Sequence, residues 1–377
     1  MKRMLTVLLL CCLLPLPARG VEVNGKSAVL MDVATGTVLF EQSPDERLAP
    51  ASVTKIMTML LIMEAVDDGR IMLTDTVTAS ETAAAKGGSQ VYLKAGETMT
   101  VEEMLKSIAV SSANDCATAM AEHIAGSEGA FVEKMNARAK ELGMQNTNFV
   151  NCTGLDDSPE AANHRTSAKD IALMSRQLLK YHPAVKKYTT IWMDTIRGGT
   201  FGLSNTNKLV RFYPGATGLK TGFTTGAGYC LSATAQREGM ELIAVVMGAE
   251  TSAKRNESCK QLLDYGFANY ALFTPSLEEA PAVPVKLGRA DSVTLHMGEE
   301  GQLLVEKARK SGITVEITAE PGIAAPVAKG QQLGCLTVKD GEKILQEVPL
   351  VAAEEVPKLT FMDLFVKVLK RASMAKT

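Results

Sequence analysis

Three short groups of polar residues combine side chains that can carry out nucleophilic chemistry. They are Ser52-Val-Thr-Lys55, Ser112-Ala-Asn114 and Lys220-Thr221-Gly222. A serine hydroxyl can attack an acyl carbon when a nearby base removes its proton, and hydroxyl, amide and ammonium groups can relay protons or bind a peptide. Each motif is short enough to occur by chance, and Ser373-Met-Ala-Lys376 repeats the first spacing. The elements that carry the motifs must therefore decide whether they act together.

The first motif opens an apolar segment, from about Pro50 to Met63, that predicts a helix buried on nearly all sides. Side chains three residues apart share a helix face, so the Lys55 amine is expected beside the Ser52 hydroxyl. Burial and a second nearby cation, such as Lys220, would lower the pKa of the amine and make it a base. The positive helix end and the backbone N–H of Ser52 suit a developing oxyanion. The alternative is a capping serine followed by a surface lysine.

Ser112 and Asn114 are expected between two helices, 101–110 and 115–124, of which the first begins with a capping box. A hydroxyl there could relay a proton to a leaving amine, and the asparagine amide could bind a substrate carbonyl. The alternative is a pair of helix-capping residues.

Lys220, Thr221 and Gly222 precede a glycine-rich turn and a buried strand. Gly222 would let a substrate backbone come close to a strand edge. The alternative is an ordinary glycine-rich hairpin.

The rest of the chain predicts mixed helices and strands followed by a small β domain. Residues 27–33 and 37–41 predict a hairpin and residues 229–235 and 242–248 two buried strands. Helices are predicted at 128–142, 167–181 and 256–273. We expect one domain at residues 21–275 and a smaller, β-rich domain at residues 276–356. The smaller domain contains a predicted Asp340-Gly341 turn and no catalytic cluster.

The two ends of the chain suggest export and a membrane surface. Lys2 and Arg3, an apolar run and a small-residue step predict a signal peptide at 1–20, cut after Gly20. Residues 357–377 predict an amphipathic helix with a basic polar face, which would lie on an anionic membrane and is too charged to span it. A core helix would show the same pattern.

Composition excludes several classes of protein. The 377 residues include 40 basic and 42 acidic ones, a balance that argues against a nucleic-acid partner. Beyond residue 20 an odd number of cysteines remains, with no C-x-x-C pair, so a disulfide framework or a zinc ribbon is not expected. These cysteines are Cys116, Cys152, Cys230, Cys259 and Cys335.

The order and spacing of the three motifs resemble those of the serine penicillin-recognising proteins. The segments 50–58, 154–156 and 219–229 further resemble the low-molecular-weight D-alanyl-D-alanine carboxypeptidases of bacterial cell-wall metabolism. The resemblance implies an α/β (α+β) penicillin-binding transpeptidase and β-lactamase-like domain, in which helices flank a central antiparallel sheet. It also implies the small C-terminal β domain and the amphipathic tail helix.

The resemblance further implies a role for each matching residue. Ser52 would be the acylated nucleophile, Lys55 the general base, Ser112 the proton relay and Asn114 a substrate-positioning residue. Lys220, Thr221 and Arg255 would hold the substrate carboxylate, Gly222 would contribute to substrate binding, and the N–H groups of Ser52 and Phe223 would be the oxyanion donors. The substrate would be the peptidoglycan pentapeptide stem, β-lactams would inhibit covalently, and no metal or organic cofactor would be needed.

Other functions stay open at this point. D,D-endopeptidase or transpeptidase activity would use the same serine, and the sequence leaves the oligomeric state undetermined. A class A β-lactamase would need an asparagine four residues after its glutamate, whereas Glu160 and Asn163 are three apart. A wall-binding protein without catalysis is disfavoured by the complete set of Ser52, Lys55 and Lys220.

Overall fold

The computed structural model describes residues 21–277, 281–298 and 301–366. The expected signal peptide lies outside these residues, as does the tail beyond residue 366. The helices are α1 Lys55–Asp67, α2 Glu81–Ala84, α3 Val101–Ser111, α4 Asn114–Ala125, α5 Glu128–Glu141, α6 Ala168–Tyr181, α7 Lys186–Thr189, α8 Leu209–Phe212 and α9 Ser252–Asn269. The strands of the first 250 residues are β1 Ser27–Asp32, β2 Val38–Gln42, β3 Thr76–Thr78, β4 Thr98–Thr100, β5 Met193–Ile196, β6 Phe201–Ser204, β7 Ala216–Thr224, β8 Gly228–Arg237 and β9 Met240–Ala249.

A five-stranded antiparallel sheet forms the centre, in the order β2-β1-β9-β8-β7. Because successive strand residues face opposite sides, each strand contributes to two cores. Val29 and Val245 face the helical layer that contains α1 and α6, whereas Leu30 and Val246 face α9. Strand β7 is an edge of this sheet, and it carries the Lys220 motif.

The local sequence signals are largely confirmed. Helix α1 is buried along most of its length, as its apolar sequence predicts. At the start of α3, Thr100 and Glu103 form the expected capping box, and Gly126 ends α4 in the left-handed conformation.

One element differs from the expectation. The helix predicted at 256–273 begins at Ser252, where the Thr251 side chain caps the backbone N–H of Lys254, and it ends at Asn269. The next four residues form strand β10, Tyr270–Phe273, which pairs with a later strand. Pairing with a distant segment leaves no local sequence signal, which explains the error.

The C-terminal region is β-rich, as expected. Its strands are β11 Ala282–Lys286, β12 Ser292–Met297, β13 Leu303–Glu306, β14 Ile313–Ala319, β15 Ile323–Ala324, β16 Gln332–Asp340 and β17 Lys343–Ala352. Six of them form a sheet in the order β14-β16-β17-β12-β11-β15, and β13 pairs with β10. The turn that joins β16 to β17 consists of Gly341 and Glu342, one residue later than the predicted Asp340-Gly341 turn, because Asp340 still pairs with Lys343.

The described part of the tail includes a short helix at 361–366. Phe361, Met362 and Phe365 are more than half exposed there. The Asp363 carboxylate accepts a hydrogen bond from the backbone N–H of Thr360 and pairs with Arg289 at 3.0 Å. Among the described helices, none is long and apolar enough to cross a bilayer.

Candidate active site

Ser52 lies in a 3-10 turn, Ala51–Thr54, immediately before α1, and Lys55 is the first residue of that helix. The spacing brings the two side chains together as expected, with Nζ of Lys55 2.9 Å from Oγ of Ser52. The same Nζ donates to the Thr153 carbonyl oxygen at 2.8 Å. The amine is therefore held beside the hydroxyl from two directions.

Lys55 is fully buried, which excludes the alternative of a surface lysine. Burial disfavours the ammonium form and lowers its pKa to about 7, while the nearby Cys152 and Asp115 act weakly in the opposite direction. About half of the amine is then neutral at neutral pH. A neutral amine at hydrogen-bond distance can accept the hydroxyl proton.

The turn that carries Ser52 is tightly enclosed. Ala51 has φ of 49°, a conformation that an L-residue adopts only at a cost of about 1–2 kcal/mol. A side chain at Gly154 would overlap the Ala51 carbonyl oxygen, and a Cβ at Gly222 would lie 2.7 Å from the carbonyl oxygen of Pro50. Glycine is thus required at both positions, and at Gly222 the close neighbour is this turn and not an open strand edge.

Strand β7 brings a second amine close to the first. Lys220 is 1% exposed, and its Nζ donates to the Thr221 carbonyl oxygen at 3.0 Å. Burial lowers the pKa of Lys220 well below its usual value, and the charges of Lys55 and Arg255 lower it further. The expected effect of the neighbouring lysine charge is thus found for the pKa of Lys220, whereas the pKa of Lys55 is lowered by burial. The Thr221 hydroxyl lies 2.6 Å from that of Thr206.

Ser112 and Asn114 lie where α3 meets α4. Ser112 is 3% exposed and has φ of 63° as the C-cap of α3. Asn114 begins α4, and its Nδ2 donates to the Gly87 carbonyl oxygen at 2.7 Å. Its Oδ1 is buried and has no hydrogen-bond partner within the described residues. Within the described residues, neither side chain forms a hydrogen bond to Ser52, Lys55 or Lys220.

Arg255 and Phe223 flank the same sheet edge. Arg255 is 5% exposed and donates to Asn256 Oδ1 at 3.1 and 2.9 Å and to the Cys230 carbonyl oxygen at 3.4 Å. Phe223 is half exposed, and its ring stacks on Tyr229 with the centroids 4.3 Å apart. The guanidinium carbon lies 5.8 Å from the centroid of the same tyrosine ring.

Several residues around the turn were not identified from sequence. His164 bonds to Thr54 at 2.8 Å, and Thr153 acts through its carbonyl oxygen alone. A backbone acceptor leaves no signal in the residue type, and His164 belongs to no recognisable motif. Thr206, like His164, belongs to no recognisable motif.

Other chemistries lack a matching arrangement. Glu160, the glutamate considered for a class A β-lactamase, is exposed in a 3-10 turn at Pro159–Asn163. In the stretches 21–277, 281–298 and 301–366, no group of three or more His, Cys, Asp and Glu side chains could hold a metal ion. The five cysteines within the described residues are free thiols, four of them buried.

Comparison with known proteins agrees with the fold and the motifs. The family model Peptidase S11, D-alanyl-D-alanine carboxypeptidase, matches residues 16–251, and the model of the penicillin-binding protein 5 C-terminal domain matches residues 278–358. The chain is 46% identical over 346 residues to D-alanyl-D-alanine carboxypeptidase DacF of Bacillus subtilis (strain 168), covering 90% of this chain and 87% of that protein.

Solved structures agree as well. Penicillin-binding protein 5 from Haemophilus influenzae superposes with a TM-score of 0.76 at 32% identity, covering 89% of this chain and 98% of that one. Penicillin-binding protein D2 from Listeria monocytogenes, in its ampicillin-bound form, gives 0.60 at 32% identity and covers 66% of this chain and 99% of that one.

The fold is that of the penicillin-recognising serine enzymes, with a penicillin-binding protein 5 type β domain behind it. The chain belongs to the Peptidase S11 family of D-alanyl-D-alanine carboxypeptidases, which are serine hydrolases. The family and fold class expected from the three motifs are thereby confirmed.

Proposed function

We propose that this protein removes the terminal D-alanine from peptidoglycan pentapeptide stems through an acyl-enzyme on Ser52. The observation that carries the proposal is the contact of 2.9 Å between the Ser52 hydroxyl and a fully buried Lys55 amine. Family membership supports the reaction class.

In the first step, Ser52 Oγ attacks the carbonyl carbon of the penultimate D-alanine while neutral Lys55 takes the hydroxyl proton. The backbone N–H groups of Ser52 and Phe223 stabilise the oxyanion. The C–N bond then breaks, and the leaving amine receives a proton relayed through Ser112. In the second step, water attacks the ester carbonyl carbon and gives a proton to Lys55, and Lys55 passes that proton to Ser52 Oγ as the ester C–O bond breaks.

Lys220, Thr221 and Arg255 are the proposed contacts of the substrate carboxylate. Burial lowers the pKa of both groups, and neither forms an ion pair with a carboxylate within the described residues, so a bound carboxylate would supply the missing opposite charge. A guanidinium can bind a carboxylate with two parallel hydrogen bonds. Gly222 contributes because its lack of a side chain lets the Ser52 turn pack closely against strand β7.

Asn114 is proposed to bind the substrate backbone, as the resemblance implies. One Nδ2 hydrogen is bonded to the Gly87 carbonyl oxygen, which leaves the second Nδ2 hydrogen to donate to a substrate carbonyl. Its buried Oδ1 is unpaired within the described residues.

The same site would react with β-lactam antibiotics, because their amide carbonyl can acylate Ser52 in place of the peptide. A relative of similar fold has been solved in an ampicillin-bound form. We further propose export through the 1–20 signal peptide and attachment to the outer face of the cytoplasmic membrane through residues 357–377. Exposed Phe361 and Phe365 support the membrane contact.

The deciding experiment is mass spectrometry of the intact protein after penicillin treatment, with the modified peptide mapped. We expect a single adduct on Ser52, which should be absent from Ser52→Ala and retained in Ser373→Ala. Ser373 is the matched control because it begins the second Ser-x-x-Lys motif of the chain. D-Alanine release from a pentapeptide, assayed beside cleavage of cross-linked muropeptides, separates carboxypeptidase from endopeptidase activity. Rapid penicillin turnover would favour a β-lactamase, and absence of an adduct from the wild type would refute the acyl-enzyme.

A further inference from the structure

His164 lies next to the turn that carries Ser52, although it takes no part in the proposed chemistry. It is 3% exposed and follows the 3-10 turn at Pro159–Asn163. Its Nδ1 is 3.2 Å from the backbone nitrogen of Val150, and its Nε2 is 2.8 Å from Oγ1 of Thr54. Oγ1 of Thr54 in turn donates to the Ala51 carbonyl oxygen at 2.8 Å.

The direction of this chain of hydrogen bonds follows from its two ends. The N–H of Val150 can only donate, so Nδ1 of His164 is the acceptor and carries no proton. The neutral ring then has its proton on Nε2 and donates to Thr54. Thr54 passes its own hydroxyl proton to the Ala51 carbonyl oxygen, which can only accept.

Ala51 is joined to Ser52 by a planar trans peptide bond. In such a bond the carbonyl C=O and the following N–H point in opposite directions. A hydrogen bond that fixes the Ala51 carbonyl therefore also fixes the direction of the Ser52 N–H. Because Ala51 has a positive φ, this orientation needs support from its surroundings.

We propose that His164 is a positioning residue: through Thr54 it fixes the Ala51–Ser52 peptide plane so that the Ser52 N–H faces the developing oxyanion. The inference rests on the proposed role of Ser52. The ring stays neutral, because burial and the nearby charges of Arg165 and Lys55 lower the pKa of His164 to about 4. Its support for the turn therefore persists throughout the pH range in which Lys55 titrates.

A matched pair of substitutions separates this role from simple support of the loop at Val150. In His164→Gln the amide nitrogen can replace Nε2 and still donate to Thr54. In His164→Asn the amide oxygen can replace Nδ1 and still accept from Val150, but the shorter side chain does not reach Thr54. Thr54→Val removes the hydroxyl at nearly constant volume, and Thr54→Ser retains it.

The readouts are the second-order rate constant of acylation by a fluorescent penicillin, and kcat and KM for a pentapeptide. We expect His164→Asn and Thr54→Val each to lose about tenfold or more in acylation and kcat, with KM nearly unchanged, since oxyanion stabilisation acts in the transition state. His164→Gln and Thr54→Ser should stay within about threefold of the wild type. The double variant His164→Asn/Thr54→Val should be no slower than either single one.

The opposite ranking, with His164→Asn active and His164→Gln slow, would show that His164 only holds Val150 and would overturn the inference. Wild-type rates in Thr54→Val would overturn it too, and this variant decides the question if His164→Asn does not fold. A wild type without an adduct on Ser52 would refute the proposed function instead, so the two failures are distinguishable.

Discussion

Acylation of Ser52 should increase with pH around a midpoint near 7. The proposed reaction needs a neutral amine on Lys55, and burial lowers the pKa of that amine to about 7. The perturbation is pH alone, which leaves every residue in place. The apparent pKa of the reaction then reports the environment of one buried lysine.

The size of the effect follows from the degree of burial. An ordinary lysine with a pKa near 10.5 would be neutral in roughly one molecule in 3,000 at pH 7, whereas Lys55 is neutral in about half. Burial thus raises the available base by about a thousandfold. Below pH 7 the rate constant should fall about tenfold per pH unit, to about one-hundredth of its plateau at pH 5, and above pH 8 it should level off.

The assay is pseudo-first-order labelling by a fluorescent penicillin between about pH 3 and 11 at constant ionic strength, with thermal unfolding at each pH as the control for folding. A midpoint near 10 would mean an unperturbed lysine and would refute the reasoning. A midpoint near 4 would implicate His164, whose ring is also buried near Ser52. A rate that is independent of pH would exclude any titrating base.

The same pKa has a consequence for stability. The folded protein holds Lys55 at a pKa below that of the unfolded chain, so the unfolded state binds more protons between pH 7 and 10.5. The contribution of Lys55 to the free energy of unfolding should therefore rise by about 1.4 kcal/mol per pH unit across this window and level off below pH 7. Urea unfolding of wild type and Lys55→Met isolates the contribution: the difference should grow in favour of the wild type as pH rises, and a constant difference would contradict the buried amine.

Three further outcomes are expected. Asn114→Ala should lower kcat/KM for the pentapeptide about ten- to hundredfold, because the side-chain amide is then lost to the substrate; unchanged kinetics would remove Asn114 from the site. Gly154→Ala should lower the free energy of unfolding in urea by more than about 2 kcal/mol, because its Cβ would overlap the Ala51 carbonyl oxygen. The control Gly143→Ala, which is also at positive φ but has open space around it, should lower it by about 1 kcal/mol. Equal losses would refute the steric argument. Removal of residues 358–377 should abolish sedimentation with anionic vesicles while D-alanine release continues; loss of both would show that the tail belongs to the catalytic unit.

Local signals in the sequence were sufficient for most of the architecture. The i, i+3 spacing of Ser52 and Lys55 at the start of an apolar helix placed the amine beside the hydroxyl, because helix geometry fixes which side chains share a face. Capping residues and turn glycines marked helix ends for similar reasons, as at Thr100 and Gly126. The family also followed from the sequence, since three motifs in one order are far less ambiguous than any one alone.

What only the tertiary structure decided depends on contacts between distant segments. The sequence of strand β10 predicts helix because its partner β13 lies some thirty residues further along the chain and leaves no local signal. The depressed pKa of Lys55 requires the surrounding core, and the glycine requirement at positions 154 and 222 requires the Ser52 turn between them. His164 reaches the Thr54 hydroxyl only because the chain folds back over more than a hundred residues. Local sequence encodes periodicity and capping, whereas desolvation and close packing exist only after assembly.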